Sequence, residues 1–252
     1  MIDTHCHVDF KDFNKDREEV IKRAKKNLSA IINSGATLGG NRRVLKLVEE
    51  YKGFIHGTLG FHPVDASKAD NSIIDEAFKE IHENIDKVVA VGETGLDFYH
   101  IDDNESRKRQ IKMFKSFIEI ANEYDKPIVI HARDAELKAF ELIKKYSKDI
   151  DAVFHCYGGD LKTANKIVDE CHYISFSTII CYSKYHKELV ENIPLEYVLT
   201  ETDSPYLSPF KGQRNEPVNV EETVKKIAEI KSISIGKVDN ITEKNAKNVF
   251  GI

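Results

Sequence analysis

Eight times along this chain a short apolar or β-rich run gives way to a stretch with apolar residues three and four apart. The runs are Met1–His7, Ser29–Ser34, Phe54–Gly60, Val88–Gly92, Pro127–His131, Ala152–His155, Tyr173–Ser177 and Tyr197–Thr200. The helical patterns are Asp16–Asn27, Arg42–Tyr51, Ile73–Ile85, Ser106–Tyr124, Glu136–Tyr146, Leu161–Asp169, Tyr185–Glu191 and Val220–Ile230. Strands separated by helices pair in parallel, because only a crossover of that length returns the chain to the same edge. Eight of each favour a closed TIM (β/α)8 barrel over an open doubly wound sheet, and 252 residues is close to the typical length of one such barrel. No Gly-rich phosphate loop follows the first run, which weakens a nucleotide-binding sheet further. No Pro/Gly/Ser-rich linker interrupts the alternation, so residues 1–252 read as one domain. The tail, Ile241–Ile252, reads as one more helix closing the floor or side of the barrel.

Charge and cysteine usage narrow the partners. A net charge of −5 and a pI of about 6.1 argue against a protein that coats duplex DNA with a broad basic surface. They leave room for a nucleic acid whose phosphates meet metal ions inside a cleft. No run approaches the roughly 20 apolar residues of a membrane span, and the N-terminus lacks the basic-then-apolar pattern of a secretory signal. Cys6, Cys156, Cys171 and Cys181 form no C-x-x-C pair and read as free thiols of a cytoplasmic protein.

In a parallel barrel every strand ends on the same rim, where catalytic residues gather. Six metal-ligand types stand at the ends of five of the runs: His5 and His7, Glu93, His131, His155 and Asp203. An H-x-H spacing on a strand puts both imidazoles on one face, where they can grip one ion. Glu93 is expected at the end of the fourth strand, where a buried carboxylate needs cations beside it. Alone, His131 or His155 reads as a core histidine; two at the same place on adjacent strands read as ligands. Asp203 follows strand eight, which adjoins strand one, so it can approach the ion held by His5 and His7. It can also accept the proton of a bound water. Cys6 and Cys156, neighbours of ligands, are expected to face away by strand alternation.

Further residues are placed at the same rim. His62, before Pro63, could hydrogen-bond a substrate phosphate or the leaving oxygen. Arg133 shares the face of His131 if the strand continues, offering a planar fork for phosphate or an ion pair with Asp134 or Glu136. Glu201 shares the face of Asp203 and could orient a ligand or pair with Arg133. Tyr206, Arg214 and Asn215 could form a substrate wall. Phe98 and Tyr99 could stack on a base or cover the barrel mouth. His56, His82, His100, His172 and His186 show no such convergence and read as structural or exposed.

These motifs, in this order, resemble the TatD-type metal-dependent deoxyribonucleases, a branch of the amidohydrolase-like barrels. The resemblance runs from Ile2-Asp3-Thr4-His5-Cys6-His7 through Gly60-Phe61-His62-Pro63 and Gly92-Glu93-Thr94-Gly95-Leu96-Asp97. It continues through His131-Ala132-Arg133, His155-Cys156-Tyr157-Gly158-Gly159, Glu201-Thr202-Asp203-Ser204-Pro205 and Arg214-Asn215-Glu216-Pro217. It implies two divalent ions per chain: His5, His7, Glu93 and Asp203 around one, and Glu93, His131 and His155 around the other. Glu93 would bridge them. It also implies hydrolysis of DNA, trimming single strands from the 3′ end. The nitrogen and oxygen donors suit Zn, Mn, Mg, Fe or Ni alike. Gly158 and Thr178 depart from the family's usual Ser and Gly. Two other functions stay open on the same barrel: hydrolysis of a lactone or cyclic amide, and an inactive metal-bound scaffold.

Overall fold

A computed structural model describes residues 1–252. The eight runs form parallel strands β1 (Ile2–Cys6), β2 (Ala30–Ser34), β3 (Ile55–Leu59), β4 (Ala90–Asp97), β5 (Ile128–Arg133), β6 (Ala152–Phe154), β7 (Tyr173–Phe176) and β8 (Val198–Thr200). They pair in sequence order. A parallel bridge from Cys6 to Ser204 closes the ring. There the Asp203 N–H donates to His5 O at 2.9 Å and the His7 N–H to Ser204 O at 2.8 Å. The expected TIM barrel is therefore the fold.

Ten helices accompany the strands: α1 (Arg17–Asn27), α2 (Leu38–Glu50), α3 (Pro63–Lys68), α4 (Asn71–Asn84), α5 (Asn104–Glu123), α6 (Glu136–Tyr146), α7 (Leu161–Asp169), α8 (Lys184–Asn192), α9 (Val220–Lys231) and α10 (Ile235–Phe250). None is long and apolar enough to cross a membrane. Helix α2 starts four residues before its apolar pattern because Thr37 caps it, accepting from the Gly40 N–H at 3.0 Å. The short α3 was not expected. The tail is helical as expected, from Ile235. Its Ala246, Val249 and Phe250 pack against Ile2, Ala30, Ile32, Val129, Val153 and Leu199, closing the barrel's floor with apolar side chains. The opposite end is left to polar groups.

Strand β4 departs most from expectation, running five residues past Gly92, so Glu93 lies inside the strand and not at its end. The register against β5 shifts between Val91 and Thr94. Gly92 and Gly95 have φ of +142° and +140°, a region that favours glycine. A Cβ on Gly95 would stand 2.0 Å from the His131 carbonyl oxygen. Gly92 and Gly95 are what lets an irregular strand press against its neighbour while Glu93 faces the barrel's interior.

Candidate metal centre

Four strands and the seam deliver the cluster. From β1, His5 Nε2 and His7 Nε2 come within 3.2 Å of each other. From β4, Glu93 reaches between two sets of imidazoles. Its Oε2 lies 3.4 Å from His5 Nε2 and 3.5 Å from His7 Nε2. Its Oε1 lies 3.2 Å from His131 Nδ1 and 3.0 Å from His155 Nε2. Past β8, Asp203 Oδ1 is 3.6 Å from His7 Nε2 and 3.9 Å from His5 Nε2. Asp203 sits at φ +54°, a left-handed conformation uncommon outside glycine, asparagine and aspartate, just where the chain crosses back to β1. All six expected ligands are thus brought together, and His5–His7–Glu93 and Glu93–His131–His155 each form a group able to hold an ion.

The outer atoms of the rings support that reading. His7 Nδ1 faces the Ser34 carbonyl at 3.0 Å, which only accepts, so Nδ1 carries the proton and the Nε2 lone pair points inward. Ser34 Oγ lies 3.1 Å from His5 Nδ1 and can accept in the same way. His131 Nε2 lies 3.0 Å from Asp97 Oδ2 and His155 Nδ1 3.6 Å from Glu201 Oε1. Imidazole nitrogens crowded around carboxylate oxygens, nearly all out of water, fit a metal cation or the protons that hold its place.

Electrostatics divide the rings. Burial and the charge of His155 pull His5 down to about 4, against the pull of Glu93. Burial takes His62 down to about 3 despite Glu93. Burial also opposes charge on His131 and His155, yet carboxylates win. Asp97 and Glu93 raise His131, and Glu93 and Glu201 raise His155 well above the usual histidine range. Burial raises Asp203 to about 6, the charges of His155 and His7 holding it back.

A cavity of about 760 Å³ opens over the cluster, lined among others by Phe10, His62, Asp97, His100, Arg133, Gly158, Ile179, His186 and Tyr206. His62 caps α3, its Nδ1 accepting from the Val64 N–H at 3.3 Å, which leaves the Nε2 proton facing Glu93 Oε1 at 3.6 Å. The Arg133 guanidinium lies 4.1 Å over the Tyr99 ring at the cavity wall. Tyr206 stands edge-on to Phe10 at 6.4 Å, and Phe10 stacks on His7 at 4.4 Å.

Other expectations change. Glu201 is fully buried behind His155, both carboxylate oxygens without a hydrogen-bond partner, so it cannot touch substrate. Arg214 is turned away, donating to both Asp16 carboxylate oxygens at 3.0 and 2.7 Å and to the Asp12 carbonyl at 2.6 Å, and it does not line the cavity. Asn215 is buried, tying Thr178 Oγ1 to the Thr202 carbonyl with two bonds of 3.0 Å. Phe98 packs against the Arg107 guanidinium at 4.7 Å. Cys6 faces away as expected, within the Val8, Phe13 and Val20 cluster. Cys156 does not: β6 ends at Phe154, its φ is +44°, and alternation no longer holds, so it lines the cavity.

Sequence reasoning missed Asp97, which gathers His131 Nε2 and, at 2.8 Å, His100 Nδ1. The signal was present. Residues 93, 95 and 97 share a face if the strand runs on through the glycines. His100 and His186 also line the cavity, from helix-side positions that strand-end reasoning passes over.

The family model described as TatD related DNase matches residues 2–251. An uncharacterized metal-dependent hydrolase of Methanocaldococcus jannaschii is 46% identical over 249 residues, covering 99% of this chain and 96% of the relative. The human deoxyribonuclease TATDN3 is 30% identical over 259 residues, covering 99% of this chain and 94% of its own. Among solved structures, YjjV, a TatD homolog from Escherichia coli, superposes with a TM-score of 0.90 at 27% identity, covering 100% of this chain and 98% of its own.

Proposed function

Because the chain belongs to the TatD family of metal-dependent hydrolases, we propose that it hydrolyses phosphodiester bonds of DNA, trimming single strands from the 3′ end. The observation that carries this reading is the placement of Glu93, with one carboxylate oxygen against His5 and His7 and the other against His131 and His155. A carboxylate so placed suits two divalent ions, His5, His7 and Asp203 completing one ligand set and His131 and His155 the other. Ions bound there supply Lewis acidity and lower the pKa of a coordinated water. Asp203 accepts the proton of the attacking water, and the His62 Nε2–H donates to a phosphate or leaving oxygen at the cluster's edge. Arg133 and Tyr206 form the wall against which the strand lies.

The cavity's lining calls for bound cations before an anionic substrate can enter, and its size suits a strand end. Asp65, Glu93, Asp97, Asp134, Glu136 and Asp203 line it against the single arginine Arg133. Without cations an oxyanion would be repelled. Its volume falls in the range of about 300–1,000 Å³ typical of small-molecule sites, which admits a flexible strand terminus better than an intact duplex.

The test is metal-stripped protein reconstituted with Zn, Mn, Mg, Fe or Ni singly, then given end-labelled single-stranded, blunt duplex and closed circular DNA. Single-stranded ends are expected to be cut fastest. The salt slope should correspond to roughly one to three phosphates, against the six to ten of extended duplex binders. Turnover of a lactone or cyclic amide with no diester cleavage under any ion would assign the site to the rival hydrolase.

A further inference from the structure

His186 stands at the cavity with one ring nitrogen fixed and the other unoccupied. It is the third residue of α8, and its backbone N–H donates to the Oγ of the N-cap Ser183 at 3.4 Å. The same hydroxyl lies 2.7 Å from His186 Nδ1. That hydroxyl can donate its own hydrogen to Nδ1 while accepting from the backbone, the arrangement that uses its donor and puts the imidazole proton on Nε2. Burial holds the ring's pKa below the ordinary histidine value, with no charged side chain acting on it, so the ring is neutral near pH 7.

Nε2 has no protein partner and faces Gly158. A Cβ on Gly158 would lie 3.6 Å from that nitrogen and meet nothing else. Gly158 is outside the left-handed region, so its backbone does not demand glycine. The adjacent Gly159 is different: a Cβ there would stand 2.7 Å from Tyr157 Oη and 2.8 Å from Glu136. Packing explains Gly159; at Gly158 the effect of having no side chain is an open approach to Nε2. The arrangement is also held in place, since Tyr185 Oη donates to the Gly159 carbonyl at 2.8 Å and ties the first turn of α8 to the loop after β6.

No hydrogen bond, ion pair or ring contact joins His186 to the six clustered residues, which sets a group bonded to it apart from the atoms at the cluster. We propose that the His186 Nε2–H donates a hydrogen bond to a phosphate oxygen one nucleotide away from the bond that is cut, with the bare Gly158 backbone leaving that nitrogen uncovered. This rests on the phosphodiester reading. It adds a contact between the loop after β6 and α8, separate from the wall formed by Arg133 on β5.

Two substrates separate that contact from the chemistry: a single-stranded thymidine oligonucleotide, and bis(p-nitrophenyl) phosphate, which has no second phosphate. His186→Phe keeps a ring but removes the donor. It should lower kcat/KM on the oligonucleotide at least tenfold more than on the small diester, chiefly through KM, as expected for a lost hydrogen bond to a charged group. His186→Gln, which retains an N–H, should recover most of that difference. Gly158→Val, which covers the nitrogen, should reproduce it. Nitrogen-15 NMR of the wild-type ring should show the proton on Nε2; a proton on Nδ1 would overturn the donor role. Equal losses on both substrates, with the oligonucleotide still cut by the wild type, sink this inference alone. A wild type that cuts the small diester and no oligonucleotide sinks the nucleic-acid reading with it.

Discussion

The two sides of the metal cluster are built from the same side chain and backed by different ones. On the β1–β8 seam, His5 and His7 lean on Ser34, through its hydroxyl at 3.1 Å and its carbonyl at 3.0 Å. On β5 and β6, His131 and His155 lean on carboxylates, Asp97 at 3.0 Å and Glu201 at 3.6 Å. A carboxylate behind an imidazole raises its basicity and fixes its orientation, whereas a neutral oxygen only orients it. The pKa directions follow: burial takes His5 down to about 4, while Asp97 and Glu93 raise His131 and Glu93 and Glu201 raise His155 despite burial. His5 is ready for a cation without holding a proton in its place; His131 and His155 are more basic donors for which a proton competes.

Glu93 belongs to both sides, so its loss should have the largest effect. Glu93→Gln should weaken ion retention by about two to four orders of magnitude, the roughly 3–5 kcal/mol of breaking a buried charge pair. Elemental analysis after dialysis should then find both ions depleted. Normal metal content in that variant would mean the sides do not share a carboxylate.

Asp203 tests the seam alone. Asn tolerates the left-handed backbone that Asp203 adopts at φ +54°, so Asp203→Asn should fold as the wild type does. An amide cannot take the water's proton, and kcat should fall by about 10²–10⁴ with metal content largely kept. Near wild-type turnover at saturating metal would remove Asp203 from the proton-transfer role.

The convergence of the six candidate ligands was legible in the sequence because strand ends in a parallel barrel share one rim, and period-two spacing fixes the face of His5 and His7. The backing groups were harder to read, for a local reason in each case. Ending the fourth run at Gly92 cut β4 short, because glycines at 92 and 95 break the apolar pattern, and this hid Asp97 on the face of Glu93. Glu201 was placed on the correct face, but its depth behind His155 depends on how closely β8 lies to β6 and β7, which no single strand encodes. Arg214 was misplaced because long-range pairing with Asp16 and Asp12, nearly two hundred residues earlier, turns it outward. His186 sits on the first turn of a helix, a part of the rim to which strand periodicity is blind.

The contrast in backing groups predicts unequal sensitivity. Glu201→Gln removes the charge behind His155 while keeping its shape, and should cost about 10–100-fold in affinity for one ion, the usual effect of losing an outer partner of a ligand. Ser34→Ala should cost less than that, because the carbonyl that orients His7 survives and only the hydroxyl beside His5 is lost. Chelator competition on the two variants makes the comparison; losses of equal size would show that a carboxylate and a neutral oxygen serve the cluster equally well.

The smallest effect is a count of protons. Carboxylates raise His155 well above the ordinary histidine value and shift His131 in the same direction, so an ion binding on that side competes with protons for their nitrogens. His5, at about 4, is already neutral, and Asp203, at about 6, is mostly ionised. Metal loading at pH 7 should therefore release protons chiefly from the β5–β6 side. As pH falls, affinity on that side should weaken first; on the seam Asp203 takes a proton near pH 6 and His5 only near pH 4. Calorimetry in two buffers of different ionisation enthalpy reads the release directly. His155→Gln should remove roughly one proton from it and His5→Gln almost none. If both substitutions remove the same number, His155 and His5 titrate alike, and the groups behind them do not set the difference between the two sides.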